Sequence, residues 1–247
     1  MGTKSIIKEQ VLSDLKLIVR DPMLRIIVII LFMLAFVFRI AVPQLGPFLA
    51  PWGLTLPFIN PFIVSYMFIL MIPIGVGAVM GFLLLEEKDN QTIKALAVTP
   101  ISLNKYFVFR TIMPIILATG VIMLSVYIVW LVYIEFVALL LITLVSALAA
   151  PMWTLFLASF AKNKVQGFTV LKMCGAIFII PVIAYFIPNL GPMELLFGIA
   201  PTYWPVKAYW LATSGDPTYG IYLIVGAIYY LVIIALLLKR SSDVMRR

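Results

Sequence analysis

Six long apolar runs divide this chain, over residues 24–42, 62–85, 111–133, 136–161, 167–187 and 219–238. Each is near the ~20 residues that an α-helix needs to cross about 30 Å of hydrocarbon. Lipid offers no water to satisfy backbone groups, so such a run must hydrogen-bond within itself, which selects the helix. The runs lack the period-two alternation of outer-membrane strands. Composition points the same way: 64% of the residues are hydrophobic and 11% charged, against about 45–50% and about 25% in an ordinary soluble domain. The expected fold is an all-α membrane protein, one six-transmembrane helical bundle over residues 1–247, without room for a soluble catalytic domain. The first 23 residues are polar and amphipathic and no small-residue cleavage site follows, so a cleaved leader is not expected.

Charge placement sets the expected orientation. Of the 18 Lys and Arg residues, all but Arg39 and Lys207 fall on one side of this six-span arrangement. The positive-inside rule makes that side cytoplasmic, with both termini there, in a cell membrane. The net charge of +8 is then topogenic, and no nucleic-acid role is expected. Cys174 is the single cysteine, so no intrachain disulfide is possible.

The segments between the runs carry further signals. In residues 4–20, Ile7, Val11, Leu15 and Ile18 form a stripe at helical spacing, with Lys8, Asp14 and Lys16 off it. That pattern predicts an amphipathic helix lying on the membrane plane, in a segment that runs to residue 22. Residues 86–106 (EEKDNQTIKALAVTPISLNKY) form the longest polar stretch. A short helix ending before Pro100 would put Ile93, Leu96 and Ala97 on one face that needs a partner. The plain alternative is a solvated loop. Residues 188–218 are largely apolar and hold Tyr203, Trp204, Tyr209 and Trp210, residues that favour the membrane interface. They are expected to form short helices dipping into the outer leaflet, packed on protein. Pro73, Pro114, Pro151 and Pro181 lie inside spans and predict kinks or local unwinding. Gly77 and Gly81 form a GxxxG that serves either packing within the bundle or a dimer seam.

Absences narrow the chemistry. The chain has no histidine, which removes Ser–His dyads and HExxH metal sites. No Asp or Glu lies deep in a span, which argues against an aspartyl intramembrane protease and weakens a proton-coupled pump. No P-loop is present, so the chain does not bind ATP by that motif. No cofactor or metal is expected on it. What remains is a transport-like bundle without an energy source of its own.

At residues 86–102 the sequence resembles type-2 ABC transporter permeases, the ABC-2 exporters. The matching residues are Glu87, Lys88, Asp89, Thr92, Ile93, Leu96, Val98, Thr99, Pro100, Ile101 and Ser102, with Gln91 where glycine is common. The resemblance implies that 86–106 is a coupling helix docking on a separate ABC ATPase subunit, through Glu87, Asp89, Thr92, Ile93, Leu96 and Pro100. It makes the N-terminal segment a connecting helix and 188–218 a re-entrant segment. It further implies two permease chains, alike or different, and two ATPases that hold ATP and Mg. The spans would then line a pathway for a hydrophobic or amphipathic substrate such as a drug, a lipid-like molecule or an antimicrobial peptide, with a lean toward drug export. Tyr66, Met67, Met71, Trp130 and Met152 are candidate wall residues, packing or lipid-facing roles being the alternative. Two other readings stand beside it: a membrane anchor that transports nothing, and an intramembrane enzyme with an unrecognised catalytic group.

Overall fold

The computed structural model describes residues 22–89, 103–187 and 191–246. Among these residues the ordered elements are helices, with no strand. Helix α1 spans Pro22–Ala41. Three short helical turns follow over Val42–Leu45, Gly46–Leu49 and Ala50–Trp52. Helix α2 is a long rod, Leu56–Asp89. Helix α3 spans Leu103–Val129, α4 Phe136–Phe160 and α5 Lys164–Phe186. A 3-10 helix over Gly191–Ile199 leads to α6, Tyr203–Thr213. The last helix, α7, spans Tyr219–Arg246. Six helices are long and apolar enough to cross a membrane, so the chain is a multi-pass membrane bundle.

The prolines explain where the rods are interrupted. Pro57 sits in the first turn of α2, where its missing N–H is needed by no one, so the helix starts earlier than the apolar run. Pro73 has no N–H to offer the Ile69 carbonyl. Just before it, Ser65–Leu70 winds as a π-helix, and the Met71 N–H reaches back five residues to the Tyr66 carbonyl. Pro151 likewise leaves the Ala147 carbonyl without its partner. There α4 divides into Phe136–Ala147 and Ala149–Phe160, and the Leu148 N–H turns to the Val145 carbonyl three residues back. In α5, Pro181 follows a 3-10 turn over Cys174–Phe178. Pro114 behaves differently: α3 runs unbroken through it.

The centre of the bundle is α2. In its most apolar window 78% of the residues are buried, against 11% for the first span and 17% for the fifth. The outer faces of α1 (Ile26, Ile29, Met33, Phe36, Ile40) are exposed, as suits helices facing lipid. Lipid tails are as apolar as leucine, so helices associate through close packing and a few polar contacts. The pair α2–α4 shows both. A Cβ on Gly77 would stand 2.4 Å from the Ala150 carbonyl oxygen and 2.9 Å from Trp153 Cβ, and one on Gly81 2.7 Å from Leu157. The GxxxG is therefore an internal seam. Beside it the Thr154 hydroxyl lies 3.0 Å from the Gly77 carbonyl and 3.0 Å from its own Ala150 carbonyl.

Gly77→Val should force the two backbones apart and destabilise the bundle by about 1–3 kcal/mol, as overpacking does. Gly75→Ala, with nothing within 4 Å of the added carbon, should change stability by less than about 0.5 kcal/mol. Thermal unfolding of the two purified variants in one detergent checks the contrast.

Candidate functional site

At 1.5 Å per residue the 34 residues of α2 reach about 51 Å, well beyond the hydrocarbon thickness. The helix therefore carries the chain from one face of the bundle to well past the other. It ends at Asp89, on the side that holds most of the described Lys and Arg residues, here called the basic end. Of the expected coupling residues, Glu87 and Asp89 form the last turn of α2, Glu87 half-buried and Asp89 exposed. Thr92, Ile93, Leu96 and Pro100 lie outside the described residues, as do Ile7, Val11, Leu15 and Ile18 of the expected N-terminal helix.

The basic end of α2 is tied to the start of α5. Glu86 and Lys164 pair at 2.8 Å, each side chain about half exposed (47% and 46%), so in water the pair would contribute at most about 1 kcal/mol. Its partner is better fixed than that figure suggests. Asn163 caps α5 by accepting the Gln166 N–H at 2.9 Å, and the Gln166 side chain accepts the Lys162 N–H at 2.8 Å, a reciprocal arrangement like a capping box. Nearby, Arg240 of α7 sits 4.3 Å above the Phe160 ring of α4, a cation–π contact.

Midway along α2, two polar side chains repair what the irregular backbone leaves open. Ser146 of α4 donates its hydroxyl to the Ile69 carbonyl, the acceptor that Pro73 cannot serve. Trp210 of α6 donates its indole N–H to Ser65 Oγ at 2.7 Å, and Ser65 donates in turn to the Phe62 carbonyl at 3.0 Å. Ser65 and Ser146 are buried. Neither they nor Trp210 stood out as site residues in the sequence. The available signal was Pro73 itself, which orphans one carbonyl and so calls for a donor from another helix.

Beyond this junction, toward the end opposite the basic one, aromatic rings gather between α2, α5 and α6. Phe58 and Phe62 lie 5.0 and 5.2 Å from Tyr185, Phe62 stacks on Tyr66 at 5.7 Å, and Tyr185 meets Trp210 edge-on at 4.7 Å. The Tyr185 hydroxyl donates to the Phe58 carbonyl. Of the candidate wall residues, Tyr66 and Met67 lie in the π segment and Met71 follows it, all half-buried. Met152 is 6% exposed and packs in the core. Trp130 stands apart at the far end of α3, 63% exposed. The structure thus brings three of the five together and separates the other two.

The 191–213 segment closes the same end. Glu194 pairs with Lys207 and accepts the Tyr203 hydroxyl at 2.8 Å. Burial, and then the Glu194 carboxylate, push the Tyr203 hydroxyl above its ordinary range, so it remains a donor. Trp204 donates to the Gly198 carbonyl at 3.0 Å and packs where a Cβ on Gly226 of α7 would stand 2.7 Å away. Tyr229 of α7 donates to the Ile199 carbonyl at 2.9 Å. The short helices are therefore fixed to α2, α5 and α7 at once.

The arrangement is that of a scaffold joining two faces of a membrane. Comparison with known proteins agrees. The family described as "Fluoroquinolones export permease protein Rv2686c-like" matches residues 14–238. The chain belongs to this family. Two similar proteins are the fluoroquinolones export permease protein Rv2686c of Mycobacterium tuberculosis strain H37Rv and its counterpart MT2760 of strain CDC 1551. Each is 30% identical over 237 residues, covering 92% of this chain and 90% of the relative. No solved structure matches the chain. Membership in a permease family accords with the resemblance to ABC-2 exporters and makes the chain a transport component rather than an enzyme.

Ser146→Ala should leave the Ile69 carbonyl without its donor while leaving the distant glycine seam intact. Hydrogen exchange in detergent should then quicken over residues 65–72 by about three- to eighteenfold, for a lost intramembrane hydrogen bond of roughly 0.6–1.7 kcal/mol. Exchange over residues 76–85 should not change.

Proposed function

We propose that this chain is the membrane-spanning subunit of an ATP-driven drug exporter of the ABC-2 type. A separate ABC ATPase would hold the ATP and Mg, and the functional unit would contain two permease chains, alike or different, and two ATPases. The basic end would face the cytoplasm with both termini, in the cell membrane. The observation that carries this reading is α2. It runs as one rod from the aromatic cluster to Glu87 and Asp89, where the coupling motif begins. An ATPase can bias the membrane part only through contacts that differ between its states, and a rod with one end in such a contact transmits that bias along its length.

The relatives' names favour a drug of the fluoroquinolone class as cargo. The rings and sulfur atoms near the π segment suit a flat amphipathic molecule, with Tyr66, Met67 and Met71 as the wall. The helices over 191–213 would then be re-entrant, closing the outer end of the pathway. Their tyrosine and tryptophan residues and their polar ties to three spans are compatible with a position at the membrane interface.

Leu96→Asp puts a charge on the apolar face proposed for docking. It should cut copurification of a P-loop ATPase with this chain by at least about tenfold while helical content, read by circular dichroism, stays unchanged. Undiminished copurification would remove the coupling assignment. Tags at residues 1 and 247 should both be shielded from an impermeant reagent added to intact cells.

A further inference from the structure

Opposite the basic end, between α3 and α4, lies a cleft of about 200 Å³ lined by Val126, Tyr127, Trp130, Tyr133, Phe136 and Leu139 among others. Three features separate it from an ordinary belt of interfacial aromatics. The first is backbone conformation. Trp130 has φ 48, the one positive φ at a non-glycine residue among those described. For a bulky residue that angle is a genuine outlier, and such outliers cluster where a ligand is held. The second is the anchoring of this connection from two other helices. Arg39 of α1 donates to the Ile128 carbonyl at 2.8 Å and Asn60 of α2 to the Leu131 carbonyl at 3.2 Å. These bonds bracket Trp130 and tie down the backbone on either side of it.

The third is chemistry. Among the described residues Tyr127, Trp130, Tyr133 and Phe136 make no ring–ring contact with one another, and Trp130 and Tyr133 are 63% and 84% exposed, so no other described part of the chain covers their faces. Glu135 sits between the lining residues Ile134 and Phe136. It is exposed, at the N-cap position of α4, yet its side chain does not cap the helix. Open aromatic faces are complementary to an organic cation, which the ring quadrupole attracts; Glu135, outside the lining itself, adds a negative charge to this end that offsets the Arg39 guanidinium bound at Ile128. The volume is below the roughly 300–1,000 Å³ of sites that enclose a drug-sized ligand, so the cleft fits a substituted ammonium group rather than a whole drug.

We propose that this cleft binds a substituted ammonium group, carried either by a lipid headgroup or by a soluble amine. The site is independent of the transport reading, because it is defined by binding alone.

The test uses the full chain in phosphatidylglycerol nanodiscs, with choline as probe and saturation-transfer NMR as readout. Choline should bind saturably, and its neutral carbon isostere 3,3-dimethylbutanol should bind at least about tenfold more weakly. Trp130→Gly accepts the left-handed angle without strain. It should keep or raise the melting temperature while weakening choline roughly tenfold. Glu135→Gln should weaken it about three- to tenfold, and Tyr133→Leu, at an exposed rim position, should weaken it too. In phosphatidylcholine nanodiscs, loss of choline binding identifies the lipid headgroup as occupant, and retained binding identifies the soluble amine. Equal binding of choline and dimethylbutanol, or choline affinity unchanged in Trp130→Gly and Tyr133→Leu, would overturn the proposal.

Discussion

The backbone contact between α2 and α4 decides how the rest of the bundle is arranged. At Gly77 the α4 backbone at Ala150 comes against α2 directly, and at Gly81 the Leu157 side chain fills the space; in lipid such close approach replaces the hydrophobic drive that assembles soluble cores. Dispersion between atoms at contact distance is small for each pair and large in sum. Thr154 adds a polar tie at the same level. With α4 fixed against it, α2 becomes the buried axis. Helix α3 also packs against it, α1 lies chiefly on α3 and α7 chiefly on α4 and α6, and α1, α5 and α7 leave most of their surface for lipid.

Toward the middle of the membrane the same two helices are both irregular. The π segment of α2 and the turn at Leu148 in α4 each trace to a proline that withholds one N–H. They lie against each other, because Ser146 reaches from one to the Ile69 carbonyl of the other. The protein thus pairs two weak points across a polar bond instead of scattering them. Below them the glycine seam joins the halves near the basic end. Above them Trp210 and the aromatic rings join α2 to the helices that close the opposite end. Helices α2 and α4 are therefore irregular at a shared level, with different neighbours on either side of it, while α3 runs unbroken.

Much of this was legible in the sequence. Long apolar runs locate the six spans, since length and composition alone decide whether a helix can cross lipid. Prolines 73, 151 and 181 mark irregular helix, and the sequence shows why: each removes a donor. Pro114 does not break its helix, because loss of one bond is tolerated when neighbours support the turn. The GxxxG was visible, but not its partner, which depends on which helix comes within reach. Ser65, Ser146 and Trp210 were invisible as a group, since they are far apart along the chain. In the sequence Trp130 stands out for its ring, not for its backbone. Its left-handed angle lies between two carbonyls bonded from α1 and α2, and no local pattern announces it.

The most direct test of the account is ATP-driven transport by the reconstituted complex. Proteoliposomes containing this chain and its copurified ATPase would be loaded with ATP inside or outside, and movement of a fluoroquinolone followed by its own fluorescence. The account predicts uptake into vesicles whose ATPase faces outward, dependent on hydrolysable ATP and absent when either chain is omitted. Drug movement by this chain alone, or none by a complex that hydrolyses ATP and exports another cargo, would contradict it.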